Sequence, residues 1–119
     1  MTARRAHARR RYDDYLASRV WRERRTAWRE AFVADVGAPP RCAVCDAQWS
    51  LADDLHHLDY QRLGHEEDTD LLPLCRHCHE LIHQVLDHSR QWRRLPLRVA
   101  SLAIVAQLRD ALAHERHGS

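Results

Sequence analysis

Apolar residues along this chain fall into short runs, each with a recognisable period. Trp21, Trp28 and Phe32 stand at i, i+7 and i+11, one stripe of an α-helix, while Arg22, Arg25 and Arg29 lie on a neighbouring face. The helical pattern extends from Tyr12 to about Val36. Tyr15 and Leu16 end a short first piece, and Ser18 can cap the longer second one. Gly37, Pro39 and Pro40 stop it. Residues 55–58 are a short strand candidate and residues 71–74 a short apolar run, which Pro73 confines to an edge or a brief pairing. An acidic, turn-rich loop over residues 64–69 lies between them. Leu81, Ile82, Val85 and Leu86 give residues 79–88 a helical period. Pro96 suits the first position of a last helix over residues 96–114, with Leu97, Leu102, Val105, Leu108 and Leu112 as its buried stripe. The order strand, loop, strand, helix, flanked by helices, predicts a small α+β fold.

Length and composition narrow the picture. The 119 residues suit one domain with a limited core, which a metal staple would help to hold. No apolar run approaches the roughly 18 residues of a membrane span. No apolar segment follows the Arg-rich N-terminus, so no secretory signal is expected and the cytoplasm of a bacterial or phage-infected cell is. In that reducing compartment, paired cysteine motifs favour zinc over disulfides.

Charge is unevenly distributed. Residues 1–29 hold ten arginines against Asp13, Asp14 and Glu23, a charge of +7, while residues 30–119 hold nine arginines against fourteen acids, a charge of −5. Such a segment suits either contact with a polyanion or a solvated tail. Arg4, Arg5, Arg9, Arg10 and Arg11 would repel one another, so residues 1–11 are expected to be a disordered tail. All cationic residues are arginine and asparagine is absent, the signature of a GC-rich genome.

Two CxxC pairs, Cys42/Cys45 and Cys75/Cys78, hold all four cysteines. Each pair can present both sulfurs to one metal, and two such knuckles complete a tetrahedral shell that suits Zn²⁺. The long stretch between Cys45 and Cys75 can accommodate a ββ element. A closed four-sulfur shell leaves no position for substrate, so this metal is expected to serve folding.

Histidines supply a second ligand set. His79 and His83 stand at i and i+4, one helix face, immediately after Cys78. A third ligand can come from the adjacent His56 and His57 in the first strand. Strand alternation points these two rings to opposite faces, and both can serve one site only if the strand bends or ends there; that permits a division of labour, one ring on a metal and the other free as a general base for water. With a metal beside it, that pairing suits metal-assisted hydrolysis of a phosphodiester. His7, His65, His77, His88, His114 and His117 have no motif around them and are expected at the surface.

The ordered set Tyr15-Leu16-x-Ser18-x-x-Trp21-x-x-x-Arg25, Cys42-x-x-Cys45, His56-His57-x-x-Tyr60-x-x-x-Gly64-x-Glu66 and Asp70-Leu71-x-x-Leu74-Cys75-x-x-Cys78-His79-x-x-x-His83 resembles an HNH endonuclease of the ββα-metal type. The resemblance covers about half the chain. It implies a single nuclease domain over 1–119, with a helical run-in over residues 12–37 and a zinc-stapled core over residues 42–88. It implies a catalytic divalent cation (Mg²⁺, Mn²⁺, Ni²⁺ or Zn²⁺) on His56, His79 and His83, a structural zinc on the four cysteines, and His57 as the base. It also implies that the residue in the family's asparagine position orients His57 or lies at the metal site, a helix or turn cap being the plainer reading of the residue found there. Here that position holds Asp70, which can accept a hydrogen bond from the imidazole but cannot donate one as an amide can. Tyr60, Gly64 and Glu66 also fit, with structural roles expected before catalytic ones.

A nuclease of low net charge needs a local basic footprint. Arg19, Arg22, Arg24, Arg25 and Arg29 on the first long helix, with Arg62 and Arg76 near the site, are the candidates for DNA contact, chiefly through phosphates. No membrane partner is expected; a larger phage or restriction assembly is a candidate. A zinc-binding nucleic-acid module without catalysis is the alternative reading, and a protein-docking last helix is a third.

Overall fold

The computed structural model describes residues 3–117. It is a small α+β fold of five helices and one two-stranded sheet, in the order α1 (Ala3–Leu16), α2 (Arg19–Val36), β1 (Asp54–His57), β2 (Leu71–Leu74), α3 (Arg76–His88), α4 (Arg90–Arg93) and α5 (Leu97–His117). A 3₁₀ turn, Asp68–Asp70, leads into β2.

Local chemistry sets the element ends. The Ser18 hydroxyl accepts from the Trp21 amide and caps α2. Gly37, at φ 79, takes the left-handed conformation that closes α2, its N–H donating to the Val33 carbonyl. The Cys75 sulfur accepts from the Cys78 amide and caps α3, so that helix begins at Arg76, inside the second knuckle, rather than at His79. The Pro96 carbonyl accepts from the Ala100 amide, so α5 does begin at the proline's turn.

The sheet sorts the core into two halves. Strands β1 and β2 pair antiparallel, with His56 opposite Leu72 and His57 opposite Leu71. Alternation sends Leu55 and Leu71 toward Trp21, Trp28 and Trp49 on the α2 side. Leu72 and Leu74 face the other side, where Cys78, Ile82 and Leu86 of α3 meet Ala100, Ile104 and Val105 of α5. A thin sheet thus lies between two helical layers, which is why His56 and His57 are both buried while pointing opposite ways.

Three expectations are corrected. The expected basic tail is helical from Ala3 onward, and only its residues 1 and 2 lie outside the described residues. Alanine and arginine favour helix and no glycine or proline interrupts them. Strand β1 starts one residue earlier than expected, at Asp54, although Leu58 continues the pairing by donating to the Asp70 carbonyl. On α5, Leu102 is 45% exposed and small Ala100 and Ser101 are buried instead, because Ala100 packs into the core against α3 and Ser101 packs against His56 of β1.

Candidate functional site

The four cysteines form one group. Their sulfurs all lie within 4.8 Å of one another, with Cys45 and Cys75 Sγ 3.8 Å apart. That is far beyond a disulfide bond of about 2.05 Å. It matches the edge of about 3.8 Å expected for a tetrahedral thiolate shell with metal–sulfur bonds of about 2.3 Å. Cys42 and Cys78 are buried, and burial with the neighbouring Cys75 pushes the Cys78 thiol up. Arg109 of α5 clamps the first knuckle, donating to the Ala43 carbonyl and to both Asp46 carboxylate oxygens. This group can hold a structural metal ion and leaves no sulfur over.

A second group lies further along α3. One ring nitrogen from each of His56, His79 and His83 falls within 4.8 Å of the others. His79 and His83 Nε2 are 3.0 Å apart. Two ligands at that separation, on bonds of about 2.0–2.1 Å, subtend about 95° at one ion, so the pair fits a shared metal. The outer contacts fix the rings. His79 Nδ1 donates to the Asp54 carboxylate at 2.9 Å, leaving Nε2 with its lone pair toward His83. His56 Nε2 meets Ser101 Oγ at 2.8 Å, which leaves Nδ1 for the cluster. Burial and the neighbouring His79, His83 and His57 push His56 down to about 3, and burial beside His79 lowers His83. Both are therefore held as neutral imidazoles, the ligand form.

His57 stands apart from that group. Its Nε2 donates to Glu66 Oε2 at 2.8 Å, and its Nδ1 accepts from the Tyr12 hydroxyl at 3.2 Å. The Trp21 ring lies against it at 4.7 Å. Tyr12 touches Tyr60 edge to face at 5.0 Å, and together they cover the imidazole, which is 2% exposed.

The expected bond from His57 to Asp70 is replaced by the one to Glu66. Asp70 instead accepts from Arg62 Nε and Nη2 and from Arg98 Nη2, and its carboxylate also accepts from the Glu67 amide. Those bonds, Arg62 first, hold the Asp70 carboxyl well below the usual range. The physical reason is placement. Asp70 ends a 3₁₀ turn whose loop delivers Arg62, while α5 delivers Arg98, and the two guanidiniums take up the carboxylate.

The arginines proposed for DNA divide by what they already do. Arg19 and Arg22 lie on the outer face of α2 and Arg76 is exposed at the start of α3. Arg29 is half-buried. Arg25 donates to the Leu51 and Asp53 carbonyls and lies over the Trp49 ring, though it still lines a cavity of about 260 Å³ with Tyr12, Asp54 and His79. Arg24 donates to the Glu66 carbonyl and to Asp68, and Arg62 is committed to Asp70.

Sequence reasoning gave Asp54, Ser101 and Tyr12 no role, because their partners are 25 or more residues away. His7, His65, His77, His88 and His114 are exposed. No described helix is long and apolar enough to cross a membrane. No protein-family model, curated protein or solved structure matches this chain.

Proposed function

We propose that this chain is a metal-dependent DNA endonuclease of the HNH type that hydrolyses phosphodiester bonds. The observation that carries the reading is the split between neighbours. His56 joins His79 and His83, while His57 points to the other face and joins no ligand group. The four-cysteine group, as a zinc site, fixes the start of the helix that aims His79 and His83.

A divalent ion, if bound, would be held by His56, His79 and His83 and would supply positive charge to the scissile phosphate and its leaving oxygen. Mg²⁺, Mn²⁺, Ni²⁺ and Zn²⁺ are the candidates. The chain's own residues do the rest. His57 takes the proton of the attacking water at Nδ1 as the water oxygen bonds to phosphorus and the bond to the 3′-oxygen breaks. That nitrogen receives the Tyr12 hydroxyl, so Tyr12 must move aside for the water to reach it. Asp54 holds His79 in the ligand tautomer. Arg19, Arg22, Arg25, Arg29 and Arg76 provide charge for DNA phosphates, a type of contact that positions a duplex without reading its sequence.

One observation favours a second reading, a zinc-binding nucleic-acid module without catalysis: His57 is buried with both ring nitrogens engaged. Nicking of supercoiled plasmid across the four metals separates the two. The nuclease reading expects metal-dependent nicking that His57→Ala abolishes while metal content and circular dichroism stay as in the wild type. Equal nicking by a contaminant-free His57→Ala chain sinks it.

A further inference from the structure

We infer that Glu66 is the positioning residue for His57, the part Asp70 does not play. The inference rests on the nuclease reading for its chemical consequence only; the orientation of the ring stands apart from it.

Glu66 is an unusual buried acid. Its side chain and that of His57 are each 1% exposed, yet no guanidinium reaches its carboxylate among the described contacts. Asp70, equally buried, takes two arginines. Burying a carboxylate against neutral donors is costly, so the donors it keeps are informative. They are the Tyr15 hydroxyl, at 2.8 Å from Oε1 and 2.7 Å from Oε2, and His57 Nε2, at 2.8 Å from Oε2. Arg24 anchors the same residue from outside by donating to its backbone carbonyl at 2.9 Å.

A carboxylate offers acceptors only. With Glu66 behind it, the neutral His57 ring must carry its hydrogen on Nε2 and its lone pair on Nδ1. That is the tautomer able to take a proton from water on the side where Tyr12 now sits. A glutamine of the same shape would fill the space and could still pair with Tyr15. Its amide could also donate to His57 Nε2, which would admit the opposite tautomer, with Nδ1 protonated and unable to act as base. A packing role is therefore indifferent to Glu66→Gln, and a positioning role is not. Tyr15 belongs to the same device, since it clamps both oxygens and ties α1 to the ring.

The test is long-range ¹⁵N–¹H correlation of the His57 ring, with metal-dependent nicking kinetics, in the wild type, Glu66→Gln and Tyr15→Phe. The wild type should show one tautomer, with hydrogen on Nε2. Glu66→Gln should show a mixture, with kcat lower by about 10- to 100-fold, the range typical for loss of a supporting hydrogen-bond partner at a metal site, and KM little changed. Tyr15→Phe, which leaves the acceptor-only carboxylate in place, should keep the wild-type tautomer with kcat between the other two; a tautomer mixture there would overturn the inference, which covers the case of a Glu66 variant that does not fold. An unchanged tautomer in Glu66→Gln overturns the inference whatever the kcat; a tautomer mixture with unchanged kcat upholds the orientation and overturns its consequence for the chemistry. A wild type that does not nick any DNA sinks the nuclease reading instead. Loss of the single tautomer in Glu66→Gln would still uphold Glu66 as the group that orients His57.

Discussion

Replacing Asp70 by alanine should unfold this protein far more than it inactivates it. The Asp70 side chain is 1% exposed and accepts four hydrogen bonds: from Arg62 at 2.8 and 2.5 Å, from Arg98 at 2.7 Å and from the Glu67 amide at 2.9 Å. Removing one partner of a buried ion pair typically costs about 3–5 kcal/mol. The orphaned side chains of Arg62 and Arg98 are 41% and 36% exposed and can turn partly to water, which reduces the expected loss to roughly 2–3 kcal/mol. For a domain of this size that is a fall in Tm of roughly 6–15 °C. Urea unfolding followed by tryptophan fluorescence measures it, with nicking per folded molecule measured alongside. The sign of the pH dependence follows from the same contacts. Asp70's carboxyl is depressed in the folded chain, so its stabilisation is fully present above the unfolded value of about 3.9 and is lost as pH falls through the lower native value. The wild type should lose this contribution in acid, and Asp70→Ala should lack that part of the slope. A stability change under about 1 kcal/mol, small beside the usual cost of breaking such a pair, together with lost nicking, would refute the reasoning. It would return Asp70 to the role of partner to His57.

Other perturbations probe the remaining layers. Asp54→Ala removes the acceptor behind His79 and should weaken metal binding at the histidine group by about 10- to 100-fold, read by calorimetric titration, without loss of the cysteine-bound ion. Tyr12→Ala uncovers His57, and carbethoxylation of His57 by diethyl pyrocarbonate, mapped by mass spectrometry, should rise; an unchanged rate would show that α1 does not shield the ring. Ile104→Ala should cost about 2–5 kcal/mol in denaturant unfolding, whereas Leu102→Ala should stay within about 0.5 kcal/mol, because Ile104 is 1% exposed and Leu102 is 45% exposed.

Much of this architecture was legible locally. Ser18 and Gly37 mark both ends of α2 through contacts three or four residues away, which sequence spacing expresses directly. The opposite aims of His56 and His57 follow from strand alternation alone. The i, i+4 spacing of His79 and His83 does the same for α3. What stayed hidden depends on the fold. Residues 3–11 have no apolar period, only the helix preference of their alanines and arginines, and the like charges pointed the other way; α1 is anchored by Tyr12 and Tyr15 rather than by a stripe. Leu102 is as apolar as Leu108, and only the packing of Ala100 on the α3 side and of Ser101 against His56 turns it outward. Glu66 and Asp70 are both acids of one loop, and their exchange of roles is decided by where Arg62, Arg98 and Tyr15 arrive.

Native mass spectrometry of zinc-loaded protein, with nicking assayed on the same samples, tests the division into two centres most directly. Two ions are expected per wild-type chain. One ion is expected in His79→Ala, which should stay folded and fail to nick, and Cys78→Ser should lose the cysteine-bound ion together with the fold. A wild type that holds a single ion, or a His79→Ala chain that keeps two ions and nicks normally, would contradict it.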